Sequence, residues 1–162
     1  MRRAAVIIVG TSHSIQISSR KLKPFLERLC ENFTVTAIAE EMSNEALVEN
    51  NCEASIPMQV ANALRLPHRF CDPNSAERTS LGIRQENDIL ISAFQGNLSE
   101  TEVADRLAEN HSKRESYWLD QLCDLNLWPV LFVCGANHVG SFCGLLRHEN
   151  IAARVAAEDW AS

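Results

Sequence analysis

The sequence lacks features that are typical of several protein classes, and their absence limits the functions to be considered. Its 162 residues include six cysteines, but no CxxC pair or zinc-ribbon spacing connects them. Lys and Arg number 15 against 21 acids, a net charge of −6 without a basic stripe, which argues against a protein that tracks nucleic-acid phosphates. No window approaches the apolar length of a membrane span. We therefore expect reduced, mostly buried thiols and neither a nucleic-acid nor a membrane partner.

The N-terminal segment also lacks the apolar length of a secretory leader. Only six apolar residues, 4–9, lie between Arg3 and Gly10. This predicts a cytoplasmic protein. No internal repeat, low-complexity tract or linker divides the chain, and 46% hydrophobic content is sufficient for a proper core. We expect residues 1–162 to form a single domain.

What the sequence does contain is a series of short apolar runs separated by helical patterns. The runs predict strands at 4–9, 34–39, 66–70, 130–134 and 151–155. The helical patterns fall at 24–30, 43–49, 57–64, from about 75, 99–125 and 139–148, while 86–95 fits either a helix or an insertion. Alternation of this kind predicts an α/β fold with a mainly parallel sheet of about four to five strands and helices on both faces.

Two of the predicted strands end in the same pattern, a glycine followed three residues later by a histidine. The first reads Gly10-Thr-Ser-His13 and the second Gly135-Ala-Asn-His138. Both lie at carboxyl ends of strands, where ligands collect in open α/β sheets. Glycine lets a ligand approach the backbone, and histidine supplies a nitrogen that can bind metal or move a proton. A turn or a helix cap is the structural alternative for either histidine.

Two glutamates, Glu40 and Glu41, end the second predicted strand. Because adjacent strand residues point to opposite sides, only one of them is expected to enter a site formed with the histidines. The alternative is that the pair occupies a first helical turn and favours the helix dipole.

Arg114 lies in the apolar stripe of the long predicted helix. The residues Val103, Leu107, Trp118 and Leu125 stand at offsets of −11, −7, +4 and +11 from it, which return to nearly the same helical angle. Arginine is almost never fully buried without a partner, so this position predicts an acidic or anionic neighbour. In the alternative, its stem packs on Trp118 and its head reaches water.

Several other residues are weaker candidates. His68 and Asp72 flank the end of the possible third strand. Ser12 and Ser14 lie beside His13 but form no GxSxG elbow. Cys134 precedes Gly135 and is expected to be a core residue of its strand rather than a nucleophile.

Taken in order, these motifs resemble the TraB/Tiki/ChaN/erythromycin-esterase superfamily. The resemblance rests on Gly10-Thr-Ser-His13, Glu40-Glu41, Arg114 in RESYW and Gly135-Ala-Asn-His138, and it spans almost the whole chain. It implies a parallel α/β core in which both histidines, one glutamate and the arginine meet in one cleft. Glu41 followed by Met42 is similar to the Glu-Met that ends this strand in some members, which favours Glu41.

Members of that superfamily differ widely in function. They include a metal-dependent protease of the Tiki type, esterases that open macrolide lactones with a histidine-activated water, and a haem-binding lipoprotein of the ChaN type. This chain is shorter than typical members and lacks the membrane or lipoprotein segments of some. The resemblance therefore implies a fold and a cleft but does not select an activity.

The leading expectation is a hydrolase with the catalytic residues His13, Glu41, Arg114 and His138. His13, His138 and either Glu40 or Glu41 hold a divalent transition metal, or the histidines activate water directly, and Arg114 orients a carboxylate or stabilises negative charge. Gly10 and Gly135 are the cofactor-binding candidates. The substrate is expected to be a small molecule or peptide, and exposed apolar loops in so short a chain would favour a homodimer. The alternative is a non-catalytic protein that binds a small ligand, either haem or an anion.

Overall fold

The computed structural model describes residues 5–84, 86–96 and 98–162, so residue 4 of the first predicted strand lies outside the described part. The elements follow one another in the order β1 (Val6–Thr11), α1 (His13–Ser18), α2 (Leu22–Phe33), β2 (Ala37–Glu40), α3 (Asn44–Glu49), α4 (Ile56–Leu64), β3 (His68–Phe70), α5 (Ser75–Leu81), α6 (Glu86–Phe94), α7 (Glu100–Leu125), β4 (Val130–Gly135), a 3₁₀ helix (Ala136–His138), α8 (Val139–His148) and β5 (Ala153–Trp160).

The strands form one sheet in the order β3-β2-β4-β1-β5, and all of its pairings are parallel. The predicted fold class is therefore confirmed. The central strands β1, β2 and β4 are buried along almost their whole length. This explains why their sequences are continuous apolar runs rather than alternating ones.

Helices cover both faces of the sheet because consecutive strand residues point to opposite sides. Ile8 of β1 packs in one core cluster with Trp118 of α7 and Phe142 of α8. Its neighbour Val9 packs in the other cluster, with Leu26 of α2. The two clusters form the core, and the sheet lies between them.

Several element boundaries differ from the sequence prediction by a few residues. Strand β2 begins at Ala37 rather than at 34, because Thr34 ends α2 in the left-handed conformation with φ 52°. Strand β5 runs to Trp160, five residues beyond its predicted end. The ambiguous segment 86–95 contains a helix, α6.

Helix α1 falls between the first predicted strand and the first predicted helix, where the sequence pattern indicates neither element. Its first residue is His13, and the side chain of Ser12 accepts a hydrogen bond from the backbone N–H of Ile15. This N-cap starts a helix of only six residues, which is too short to show a clear apolar period. The helix changes the surroundings of His13 from a turn to a helix start.

The strand order brings three carboxyl ends together. Strand β4 lies between β1 and β2, with Gly135 paired to Thr11 on one side and Val133 paired to Glu40 on the other. The residues that follow these strands therefore share one edge of the sheet. Among the described residues, no helix is both long enough and apolar enough to cross a bilayer.

Candidate functional site

The carboxyl ends of β1, β2 and β4 each deliver one residue to a shared cleft. These residues are His13, Glu41 and His138, and all three line a cavity of about 620 Å³. Open parallel sheets place ligands at this edge, because loops and helix starts converge there. The structure therefore brings the two GxxH histidines and one glutamate together. Their catalytic roles stay predictions.

Glu41 forms the centre of the cleft. Its side chain is 1% exposed, and the backbone N–H of Gly135 donates a hydrogen bond of 2.7 Å to its Oε1. Arg114 donates to its other oxygen, Oε2. Burial alone would raise the pKa of Glu41, but His13 and Arg114 outweigh burial and lower the pKa to about 2. Glu41 is therefore ionised across the physiological range.

Arg114 has the acidic neighbours that its helical position predicted, so that prediction is confirmed. Besides Glu41, it contacts Asp72, whose Oδ1 accepts hydrogen bonds from Nε at 3.1 Å and Nη2 at 3.0 Å. Asp72 also accepts a 3.0 Å hydrogen bond from the indole of Trp118 and a bond from Arg78. Because Arg114 is held by two carboxylates, its charge is already matched within the protein.

His13 faces Glu41 from the start of α1. Its Nε2 lies 3.6 Å from Oε2 of Glu41, and its side chain is 57% exposed at the cleft. The Glu41 carboxylate raises the pKa of His13, against the smaller effect of burial. A larger share of His13 is therefore protonated near neutral pH than of an ordinary histidine.

His138 faces Glu41 from the opposite side but is buried. Its Nε2 lies 4.0 Å from Oε2 of Glu41, and its Nδ1 lies 3.2 Å from Oε2 of Glu115. The ring also packs edge-on against Trp118, with centroids 4.7 Å apart. Two ring nitrogens with different partners fix the orientation of this imidazole.

Glu115 and His111 belong to the site although the sequence analysis did not select them. Together with His138 they place one possible ligand atom each within 4.8 Å of one another, so this cluster could hold a metal ion. Helix α7 carries His111, Arg114, Glu115 and Trp118 at spacings of three, one and three residues. That spacing puts all four on one face, and it was the signal that could have identified them.

Of the predicted metal ligands His13, His138, Glu40 and Glu41, His138 is the member of the described cluster that could hold a metal ion. In the part of the chain that the structure describes, the side chains whose possible ligand atoms all lie within 4.8 Å of one another are those of His111, Glu115 and His138. Oε2 of Glu41, which faces both predicted histidines, is engaged by Arg114. The positive charge that balances the buried Glu41 carboxylate is therefore the guanidinium of Arg114.

Glu40 lies away from the cleft, as the alternation of strand residues requires for a neighbour of Glu41. Its carboxylate contacts Nε2 of His68 at 2.6 Å, the hydroxyl of Ser55 at 2.6 Å and the side-chain amide of Gln16 at 2.9 Å. Glu40 is fully buried in this second polar group. Neither Glu40 nor His68 therefore shares the surroundings of His13 and His138.

The two candidate glycines have different environments. A Cβ atom on Gly10 would lie 2.1 Å from the backbone oxygen of Glu158 and 2.4 Å from Val139, so Gly10 is required for packing against β5 and α8. A Cβ atom on Gly135 would lie 3.2 Å from Glu41 and 4.0 Å from Nε2 of His13. Gly135 therefore borders the cleft, and Gly10 does not.

The weaker candidates divide in the same way. Asp72 lines the cleft, and Ser12 lines it as the cap of α1. Cys134 is fully buried, and this burial raises the pKa of its thiol well above the usual range. A neutral buried thiol is a poor nucleophile, which agrees with the core position expected for Cys134.

Comparison of the chain with protein-family models, with curated proteins and with solved structures found no match.

Proposed function

We propose that the protein is a hydrolase whose cleft takes a proton from a water molecule that attacks a substrate carbonyl and gives a proton to the leaving group. The observation that carries this proposal is the arrangement of two imidazoles around one ionised carboxylate. The Nε2 atoms of His13 and His138 lie 3.6 and 4.0 Å from the same Oε2 of Glu41. Paired titratable groups in different environments are typical of acid and base roles.

His138 is the proposed general base. Glu115 is 3% exposed and accepts a hydrogen bond from the hydroxyl of Ser141, so it suits the role of acceptor for a hydrogen on Nδ1 of His138. With the hydrogen on Nδ1, the lone pair of Nε2 points to the cleft. A buried acid that orients a histidine in this way fixes the tautomer needed for base catalysis.

His13 is the proposed general acid. Glu41 raises its pKa and so keeps it protonated, and its exposure at the cleft leaves it accessible to a substrate. In the reaction, His138 takes one proton from water and the resulting oxygen bonds to the substrate carbonyl carbon. The bond to the leaving group breaks, and His13 gives that group a proton.

Arg114 has a positioning role in this proposal. Its guanidinium holds Glu41 and Asp72 together, so its charge is not directed at a developing oxyanion. The proposal therefore assigns to Arg114 the first of its two predicted roles, the orientation of a carboxylate.

A small polar molecule or a short peptide segment fits the cleft best. Its volume of about 620 Å³ falls within the range of about 300 to 1,000 Å³ for ligand pockets. The lining includes the amides of Asn87 and Asn137 beside the charged residues. Such a surface favours a substrate with hydrogen-bonding groups on either side of the scissile ester or amide.

The meeting of both histidines with Glu41 and Arg114 also supports a proposed relationship to the TraB/Tiki/ChaN/erythromycin-esterase superfamily. That resemblance implied these four residues in one cleft, and they line the same cavity.

The alternative within this proposal is a metal-dependent hydrolase. His111, Glu115 and His138 would hold the ion, and two imidazoles with one carboxylate suit a divalent transition metal of the zinc class. When bound, such an ion lowers the pKa of a water molecule and polarises a carbonyl. We favour the version without metal, because Glu115 then faces Nδ1 of His138 and leaves Nε2 of that ring to face the cleft as the base.

A panel of esters and peptides, assayed with chelator-treated protein, tests the proposal. His138→Gln is expected to lower the rate at least about 100-fold, because general acid–base groups contribute about 10²- to 10⁴-fold. His148→Ala is the matched control, since His148 ends α8 with a side chain 84% exposed. A hydrolytic rate that survives in His138→Gln, or that appears only with added metal, would contradict the proposed base.

A further inference from the structure

We propose that His111, Glu115 and His138 bind a divalent transition metal ion of the zinc class, and that this ion switches the cleft off by taking Nδ1 of His138. The inhibition rests on the proposed hydrolase, whereas the metal site does not. The cluster lies beside the cleft: His111 and His138 also line the cleft, whereas Glu115 does not.

The first observation is the spacing of the ligand atoms. All three lie within 4.8 Å of one another, and Nδ1 of His138 lies 3.2 Å from Oε2 of Glu115. Zinc binds nitrogen and carboxylate oxygen at about 2.0 to 2.2 Å, so two ligands of a tetrahedral ion are about 3.3 to 3.6 Å apart. An ion can therefore replace the hydrogen between Nδ1 and Oε2 with little movement of either group.

The second observation is that other side chains already hold the ligands. Glu86 contacts Nε2 of His111 at 2.9 Å, and the hydroxyl of Ser141 donates to Glu115 at 2.9 Å. Metal-binding histidines usually give their other nitrogen to a carboxylate, which fixes the ring for coordination. Because Glu86 contacts Nε2 of His111, the proposal assigns Nδ1 of that ring to the ion.

The third observation is the charge of Glu115. This glutamate is 3% exposed, and in the described part of the chain its ion-pair partner is His138, with no lysine or arginine. Buried carboxylates are normally paired with a cation or bound to a metal. An ion at this position would supply the positive charge that the neutral form of His138 does not.

The site also has its own access. A second cavity, of about 280 Å³, is lined by His111, Glu115 and Ser141. Because Glu41 and Arg114 do not line it, an ion can reach the cluster without crossing the substrate cleft.

Inhibition follows from the tautomer of His138. An ion on Nδ1 displaces the hydrogen from that nitrogen, and the neutral ring then carries its one hydrogen on Nε2. The displaced proton leaves to solvent, and Nε2 takes a proton from solvent in exchange. Nε2 then has no lone pair for a proton from water. The metal-bound ring can donate to Glu41, but it cannot act as the base.

Metal binding is tested first, with the full chain in a Cys52→Ser and Cys123→Ser background, because these two cysteines are not buried and could bind metal themselves. Chelator-treated protein is titrated with Co²⁺ by absorption and with Zn²⁺ by calorimetry. We expect one ion per chain, a cobalt spectrum without thiolate charge transfer, loss of binding in His111→Ala and full binding in His148→Ala. No binding, or equal binding in His111→Ala and the parent, would overturn the site.

The switch is tested by two readouts on the same proteins. Zinc is expected to move the His138 hydrogen from Nδ1 to Nε2 in ¹⁵N ring spectra. Zinc is also expected to lower the hydrolytic rate of the parent at least tenfold. The rate of His111→Ala with zinc should equal the rate of the same variant after chelator treatment. A zinc-activated rate, or an unchanged ring spectrum, would overturn the switch. If no substrate is hydrolysed with or without zinc, the proposed hydrolase and its inhibition both fail, and cobalt binding still decides the metal site.

Discussion

At the scale of single residues, the cleft depends on the buried charge of Glu41. A carboxylate that is 1% exposed can stay ionised only because nearby groups stabilise its charge. Here a backbone N–H of Gly135 and the guanidinium of Arg114 contact its two oxygens. The same contacts that prepare Glu41 for chemistry must therefore contribute to the stability of the fold.

Because Glu41 is ionised in the folded protein, the free energy of unfolding should fall as the pH is lowered. Its pKa is lowered from 4.5 to about 2 in the folded protein, so its contribution is fully present above the unfolded value and is lost as the pH falls toward about 2. A shift of this size corresponds to a contribution by Glu41 on the order of 3 kcal/mol to the free energy of unfolding. Urea unfolding from about pH 7 down to about pH 3 measures this slope.

The Glu41→Gln variant supplies the comparison. It should be less stable than the parent at neutral pH, with a shallower loss of stability in acid, because the titrating carboxylate is gone. Glu31→Gln is the control, since Glu31 lies exposed on α2. Identical acid slopes in the parent and Glu41→Gln would show that the charge of Glu41 does not stabilise the fold.

The residue scale is also where the sequence was only partly informative. The alternation of strand residues predicts that Glu40 and Glu41 separate, but which of them meets the histidines depends on the side on which each helix packs. Arg114 was easier, because an arginine within an apolar stripe requires a partner on any fold. Glu115 was harder, because beside Arg114 it looks like an ordinary surface acid; its place on the helix face of His111 and Trp118 was the available signal, and its burial in the structure agrees with it.

At the scale of elements, helix α1 links the two polar groups on either side of β2. Gln16, three residues after His13, donates its side-chain amide to Glu40 at 2.9 Å and to the backbone oxygen of Glu41 at 3.3 Å. The amide therefore ties the helix that carries His13 to the end of the strand that precedes Glu41. The distance between His13 and Glu41 should depend on this link.

Replacing Gln16 by leucine is expected to loosen α1 from β2. The substitution should lower the free energy of unfolding by about 1 kcal/mol, because Glu40 loses one hydrogen bond. The loss stays small because the variant also removes the buried Oε1 of Gln16, which has no hydrogen-bond partner among the described residues. As His13 moves from Glu41, its raised pKa should fall toward the ordinary value, which NMR titration of the ring measures.

Gln59→Leu is the matched control for that experiment. Gln59 is an exposed amide on α4 that donates to the backbone oxygen of Ala54 and has no contact with Glu40. It should leave the His13 titration unchanged. If the pKa of His13 in Gln16→Leu equals that of the parent, the link does not position His13.

At the scale of the whole molecule, the site exists because of the strand order. Strand β4 lies beside β1 although most of the chain separates them in sequence. The sequence predicts each strand and its carboxyl end, since apolar runs and glycines are local signals. It does not show that β4 inserts between β1 and β2, because that order depends on how helices pack on both faces. The repeated GxxH ending suggested a shared site for the two histidines, and the resemblance to a known superfamily implied that Glu41 and Arg114 would join them.

Gly10 joins three parts of this arrangement, and its replacement tests the packing of the whole sheet edge. A Cβ atom there would lie 2.1 Å from the backbone oxygen of Glu158 in β5 and 2.4 Å from Val139 in α8. Since neither a backbone oxygen nor the start of a packed helix can move freely, Gly10→Ala should lower the free energy of unfolding by about 3 kcal/mol or more. Thermal and urea unfolding measure the loss.

The opposite result is expected for a glycine with open space. Gly144 lies inside α8 with nothing within 4 Å of an added Cβ atom, so Gly144→Ala should raise stability by about 0.5 to 1 kcal/mol through helix propensity. The two substitutions add the same methyl group, so their difference isolates the contact at Gly10. A Gly10→Ala protein as stable as the parent would mean that β5 and α8 do not close on β1 as described, and that Gly10 is open to a ligand after all.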